Sequence, residues 1–176
     1  MVKNYNKPVF IIWIGMCLSC GLLNIHPRTK LNMQKKDQNE NLKASGLKIN
    51  GVFIGKENNS AFVLYENGVI LSCGVFGSST KDDIVSRINN RTLVLKPKIP
   101  SDVGLYGFYF NEVTNRYNIV IEKWEITGRV YDSSVRYQGV VMDSVTLYFK
   151  NKMILDNYYI LHKLDVKPDS TNSFIK

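Results

Sequence analysis

AFVLYENGVILSCGV, Ala61 to Val75, is the clearest local signal in the chain. Two β-prone runs flank Asn67-Gly68, the preferred pair for a tight type I′ hairpin turn, because both residues tolerate a positive φ. In the second run Val69, Leu71, Cys73 and Val75 alternate onto one face of a strand. Cys73 on such a face reads as a small buried apolar residue. No histidine stands beside it in sequence to make it a nucleophile.

Outward from this hairpin the β pattern continues. LKINGVFIG (Leu47–Gly55) reads as a first strand broken by Asn50-Gly51. TKDDIVSRINNR (Thr80–Arg91) is the one helical candidate: Thr80 suits the N-cap, Asp83 stands three positions on, and Ile84, Val85 and Ile88 form a narrow apolar stripe. Adjacent helix-start carboxylates such as Asp82 and Asp83 serve as caps far more often than as an acid or metal site. TLVL (Thr92–Leu95) is a short strand, and KPKIPSDVG (Lys96–Gly104) a loop able to cover one end of the sheet.

LYGFYF (Leu105–Phe110) precedes a turn at Asn111–Arg116, and YNIVIEKWEI (Tyr117–Ile126) is the longest strand candidate. Tyr117, Ile119 and Ile121 share one of its faces, but Trp124 and Ile126 share the other. That switch predicts a bulge or bend near Glu122–Lys123, or a strand buried on both sides. VRYQGVVMDSVTLYF (Val135–Phe149) turns at Met142-Asp143-Ser144, and MIL (Met153–Leu155) and NYYILHKL (Asn157–Leu164) are the last strands. His162 alternates with Tyr158, Ile160 and Leu164, where a lone histidine is usually a core or rim residue. The tail VKPDSTNSFIK (Val166–Lys176) is polar and extended. The fold class expected is mainly β: an antiparallel meander or small lipocalin-like barrel with one short helix, its edges covered by closure into a barrel or by packing of the helix, because open strand edges invite pairing with other chains.

The beginning of the chain has a different character. Lys3 and Lys7 precede Val9–Leu18, an apolar run of signal-peptide size and too short to span a bilayer core of ~30 Å as a helix. Ser19-Cys20 follows, a small residue before a cysteine, although Cys17 stands where a lipid-attachment motif has an aliphatic residue. A thiolate can attack a glyceride donor to form a thioether, and cleavage before Cys20 frees an amine for a further acyl chain. Two or three chains, at roughly 0.8 kcal/mol per buried CH₂, give a stable anchor. An ordinary secreted protein cut nearby, or an uncleaved leader, is the alternative. Residues 1–19 are thus expected to be a signal peptide, 20–45 a flexible lipid-anchored tether, and 46–176 a single β-rich domain. The lipidation site is Cys20.

Charge follows that division. The formal net charge is +8. Residues 20–45 hold five basic residues (Arg28, Lys30, Lys35, Lys36, Lys43) and two acidic ones (Asp37, Glu40), and residues 46–176 hold sixteen basic and thirteen acidic. The basic excess is densest in the tether, where an anionic lipid surface attracts it. There is no basic stripe for nucleic acid. Cys73 remains as the one thiol once Cys17 leaves and Cys20 is acylated; a Cys20–Cys73 bridge needs the lipid reading to fail. His26 lies alone in the tether, without a second metal ligand.

The whole chain resembles small cell-envelope lipoproteins of the Bacteroidota. The likeness rests on the lipid-attachment start, the YENGVI hairpin, the tryptophan strand, GVVMDSVTLYF and the ending KPDSTNSFIK. It implies a cell-envelope location and a β-rich domain, and it carries no activity to transfer. No acidic cluster follows Cys20, so the anchor is expected on the outer membrane's periplasmic side. Two functions are weighed. One is a non-enzymatic, lipid-anchored envelope protein with a binding or accessory domain, whose partners are the membrane and an envelope protein. The other is a lipocalin-like carrier of a small apolar ligand, motivated by Tyr106, Phe108, Tyr109, Phe110, Tyr117, Trp124, Tyr131 and Tyr137, residues that serve equally well to fill a core. No cofactor, metal site or catalytic residue is expected: Cys73, His162 and the carboxylates stand at no telling spacing.

Overall fold

The computed structural model describes residues 31, 38–57, 59–92, 97–127, 130–150, 158–171 and 174–175. Cys20, the signal segment, His26 and the strand candidates at 93–95 and 153–155 lie outside these residues.

Eight antiparallel strands form one closed barrel in chain order: β1 Gly51–Gly55, β2 Ser60–Leu64, β3 Val69–Val75, β4 Val103–Asn111, β5 Arg116–Thr127, β6 Val130–Val141, β7 Thr146–Phe149 and β8 Tyr158–Lys163. Each strand pairs with the next, and β8 returns to β1 through Gly51↔Lys163 to Gly55↔Tyr159. Closure pairs every strand with a neighbour on each side over part of its length, while β6 from Val130 to Gln138 pairs with β5 alone among the described residues. Gly51 is required at that seam, since a Cβ there would lie 2.1 Å from the His162 carbonyl oxygen. The first strand therefore begins at Gly51, and Leu47–Asn50 precedes the sheet instead of extending it.

The Asn67-Gly68 hairpin forms, with a different turn from the one expected. Gly68 alone takes a left-handed φ, +78°, while Asn67 does not. Gly68 N donates to Tyr65 O (2.9 Å), Tyr65 N to Val69 O (2.9 Å), and Val69 N to Asn67 Oδ1 (3.2 Å). A type I turn followed by a left-handed glycine bulge replaces the type I′ pair. Likewise the bend predicted near Glu122–Lys123 is absent: β5 pairs without interruption there with β4 and β6, and its irregularity falls at Glu125/Thr127. The switch in apolar face has the other cause considered, burial on both sides. Ile121 faces the interior, while Glu122 and Trp124 are buried outside.

Two cores share the wall made by β1–β3. Phe53, Phe62, Phe149 and Tyr159 meet inside; Phe62 of β2 and Phe149 of β7, from strands that do not pair, have ring centroids 6.4 Å apart edge to face. Val52, Ile54, Val63 and Leu71 point the other way, under helix α2. Two helices are described where one was expected: α1, Gln38–Ser45, and α2, Lys81–Asn89. Thr80 caps α2 as read from sequence, its side chain accepting from Asp83 N (3.1 Å), and Ile84 and Ile88 are buried. Full burial of such side chains is worth roughly 1.5–3 kcal/mol each.

Helix α1 corrects the tether. Leu42, Leu47 and Ile49 belong to the interior core, and Asn41 Nδ2 donates to Phe108 O (3.1 Å). The turns after β2, β4 and β6 lie at this same lower end, where Lys48 N donates to Ser144 O (2.8 Å). Leu31 also packs against the outer core. Packed structure is thus present before Gly46, from α1 and from Leu31. The tail, though irregular, is docked: Lys167 Nζ donates to Ile49 O and stands 4.8 Å from the Tyr65 ring centroid, Asn67 Nδ2 donates to Ser170 Oγ (3.1 Å), and Phe174 and Ile175 pack on the outer core.

Candidate functional site

The upper half of the barrel is not filled. A cavity of about 240 Å³ lies there, floored by Phe62, Ile70, Ile121, Phe149 and Tyr159 and bordered by Ser60, Ser72, Gly74, Lys123 and Tyr137. Its origin is simple. The inward positions of β2 and β3 carry large side chains low down, Phe62 and Ile70, and small ones near the top, Ser60 and Ser72, while a bulge in β3 opposite Ala61/Phe62 leaves Gly74 in the lining with no side chain to fill the space. An apolar cavity of about 150 Å³ can already hold benzene, so this space is large enough for one ring and a short polar arm.

Lys123 supplies the cavity's charge. It continues the inward face of Ile119 and Ile121, opposite Gly104, which places no side chain in its way. Its Nζ donates to Ser72 Oγ. Burial pulls the amine down to about 8, against the opposite pull of Asp102 and Cys73. It remains mostly protonated at neutral pH. Among the described residues no carboxylate lies within ion-pair distance of Nζ. Asp102 instead accepts from the backbone N–H of Lys98 (2.9 Å) and Ile99 (3.2 Å). Ser60 Oγ and Tyr159 Oη share a hydrogen bond of 2.8 Å, and burial, then Glu125, raises the Tyr137 phenol. The surface is therefore apolar below, with one amine and several hydroxyls above.

The residues weighed from sequence are not brought together here. Cys73 is half-buried on the outer face, its thiol pushed up to about 12 by burial despite Lys123 nearby, which leaves it protonated and unreactive. His162 lies outward on β8, and its pKa is lowered by burial and Lys81 against Asp82. Its Nε2 is buried without a partner among the described residues. Asp82 and Asp83 sit exposed in the first turn of α2, where Asp83 meets Arg87 at 3.9 Å. No group of three or more His, Cys, Asp or Glu among the described residues could hold a metal ion.

Of the aromatic residues proposed as a ligand lining, only Tyr137 lines the cavity. Tyr106 and Phe108 fill the lower interior, Trp124 and Tyr131 belong to the outer core, and Tyr109 and Phe110 are exposed. The buried Glu122 is outside as well, accepting from Ser134 Oγ (3.1 Å) and Arg136 Nε (3.2 Å). Sequence reading missed Phe62, Ser72 and Lys123. Their signal was a polar residue continuing an apolar face: Ile70 to Ser72, and Ile121 to Lys123.

Fold and cavity together define a small, closed, lipocalin-like meander barrel with a polar-capped interior pocket. No protein-family model, no curated protein and no solved structure matches the chain.

Proposed function

We propose that this chain is a non-enzymatic cell-envelope protein, held to the outer membrane on its periplasmic side by acyl chains on Cys20, whose barrel binds a small molecule. The interior cavity is the observation that carries the binding half. A domain with a purely scaffolding role gains nothing from unfilled space, because packing defects cost stability. The anchoring half is supported by the basic start, the short apolar run and the Ser19-Cys20 junction. The likeness to Bacteroidota lipoproteins points the same way. An accessory domain that binds no ligand is the second reading, favoured by the exposed apolar residues of the lower end, Phe110, Val113 and Met142.

Intact-mass analysis of membrane-extracted full-length protein, beside Cys20→Ala, tests the anchor. The expected result is an N-terminus at Cys20 carrying lipid mass, and a variant that leaves the membrane fraction. An unmodified N-terminus overturns it. Native mass spectrometry of the same preparation tests the cavity. A small molecule released on denaturation is expected, whereas an empty barrel that takes up no single-ring ligand leaves the accessory reading.

A further inference from the structure

We infer that the cavity selects a small amphipathic monocarboxylate, its carboxylate on Lys123 Nζ and its apolar body on Phe62, Ile121 and Phe149. This deepens the small-molecule reading above, rests on it, and is independent of the anchor. Three observations converge. The floor is apolar and aromatic, with Phe62, Phe149 and Tyr159 in ring contact. Lys123 lines the same cavity. Ser72 takes one of its three donors, and no carboxylate of the described protein lies within ion-pair distance.

An ammonium drawn partly out of water with no ion-pair partner among the described residues is unfavourable, and a core needing only to be filled has no use for one. A ligand carboxylate removes that cost by completing the pair, and the hydroxyls of Ser60, Ser72, Tyr137 and Tyr159 border the same space. The charge is also matched to one unit. A phosphate dianion is recognised by several cations or a bidentate guanidinium, and the only cation bordering the cavity among the described residues is Lys123. The volume admits one ring or a short alkyl chain, not a long fatty acyl chain.

Isothermal calorimetry on the ligand-stripped full chain tests this with phenylpropanoate and its neutral counterpart phenylpropanol, on wild type, Lys123→Met and Lys123→Gln. Circular dichroism checks that each variant is folded, and the glutamine variant serves if the methionine one is not. Wild type is expected to bind the acid roughly tenfold tighter than the alcohol, with that preference lost in both variants while the alcohol still binds. Equal binding of acid and alcohol by wild type, or a preference that survives the substitutions, overturns the inference and leaves the small-molecule reading standing. Failure of wild type to bind either compound overturns both.

Discussion

Burial moves the Lys123 amine from 10.5 to about 8, and stability inherits that shift. Between these values the unfolded chain holds a proton that the folded chain has released, so stability rises with pH across the window. Below pH 8 both states are protonated and the folded state bears the full desolvation cost. Lys123→Met is therefore expected to raise the thermal midpoint of the ligand-free protein at pH 7, and to flatten its rise between pH 8 and 10 relative to wild type. A lowered midpoint at pH 7 contradicts this. His162 acts in the same sense at lower pH. Burial, then Lys81, holds its pKa below 6.5, so the unfolded chain takes up a proton first and stability falls as pH drops below 6.5 toward the folded value. His162→Phe also removes a buried nitrogen without a partner among the described residues. Thermal scans from pH 7.5 downward are expected to show a shallower acid loss in the variant, and an unchanged slope counts against it.

At the scale of elements, α1 shows how a short helix escapes sequence reading. QNENLKAS has one large apolar residue, so there is no period to find. That residue, Leu42, nevertheless packs with Leu47 and Ile49 under the interior core, and Asn41 ties the helix to Phe108 O. Leu42→Ala is expected to cost about 2 kcal/mol, the low end for a leucine in a core, because this one lies at the barrel's end where neighbours can relax. Urea unfolding measures it, with an unchanged dependence on denaturant showing that α1 unfolds with the barrel. A loss under about 0.5 kcal/mol would return residues 38–45 to the tether. By contrast α2 was readable, since Thr80, Asp83 and the Ile84/Ile88 stripe are all local signals. The β2–β3 hairpin was readable in place but not in turn type. The Asn67 side chain takes the Val69 N–H, and only Gly68 carries the positive φ.

For the whole molecule, the meander followed from strand spacing and tight turns, while the cost of open edges left closure and packing by the helix as alternatives that only the β1–β8 pairing decides. The cavity did not follow from these signals, because it depends on which inward positions are small at the same height on different strands. Ser60, Ser72 and Lys123 lie far apart in the chain and meet only once the registers are set. Helix α1 brings the chain into the barrel's lower end, while the cavity lies in the upper half. Leu31 is already packed against the outer core, so the chain between it and Cys20 is Gly21–Lys30, which reaches at most about 35 Å when fully extended. With acyl chains on Cys20, as proposed, the barrel is kept within that reach of the bilayer. Anchoring and binding should then be separable. Cys20→Ala is expected to shift the protein from the membrane to the aqueous fraction while its calorimetric affinity for phenylpropanoate stays within about twofold of wild type. An affinity that falls with the anchor would mean that the bilayer surface forms part of the site.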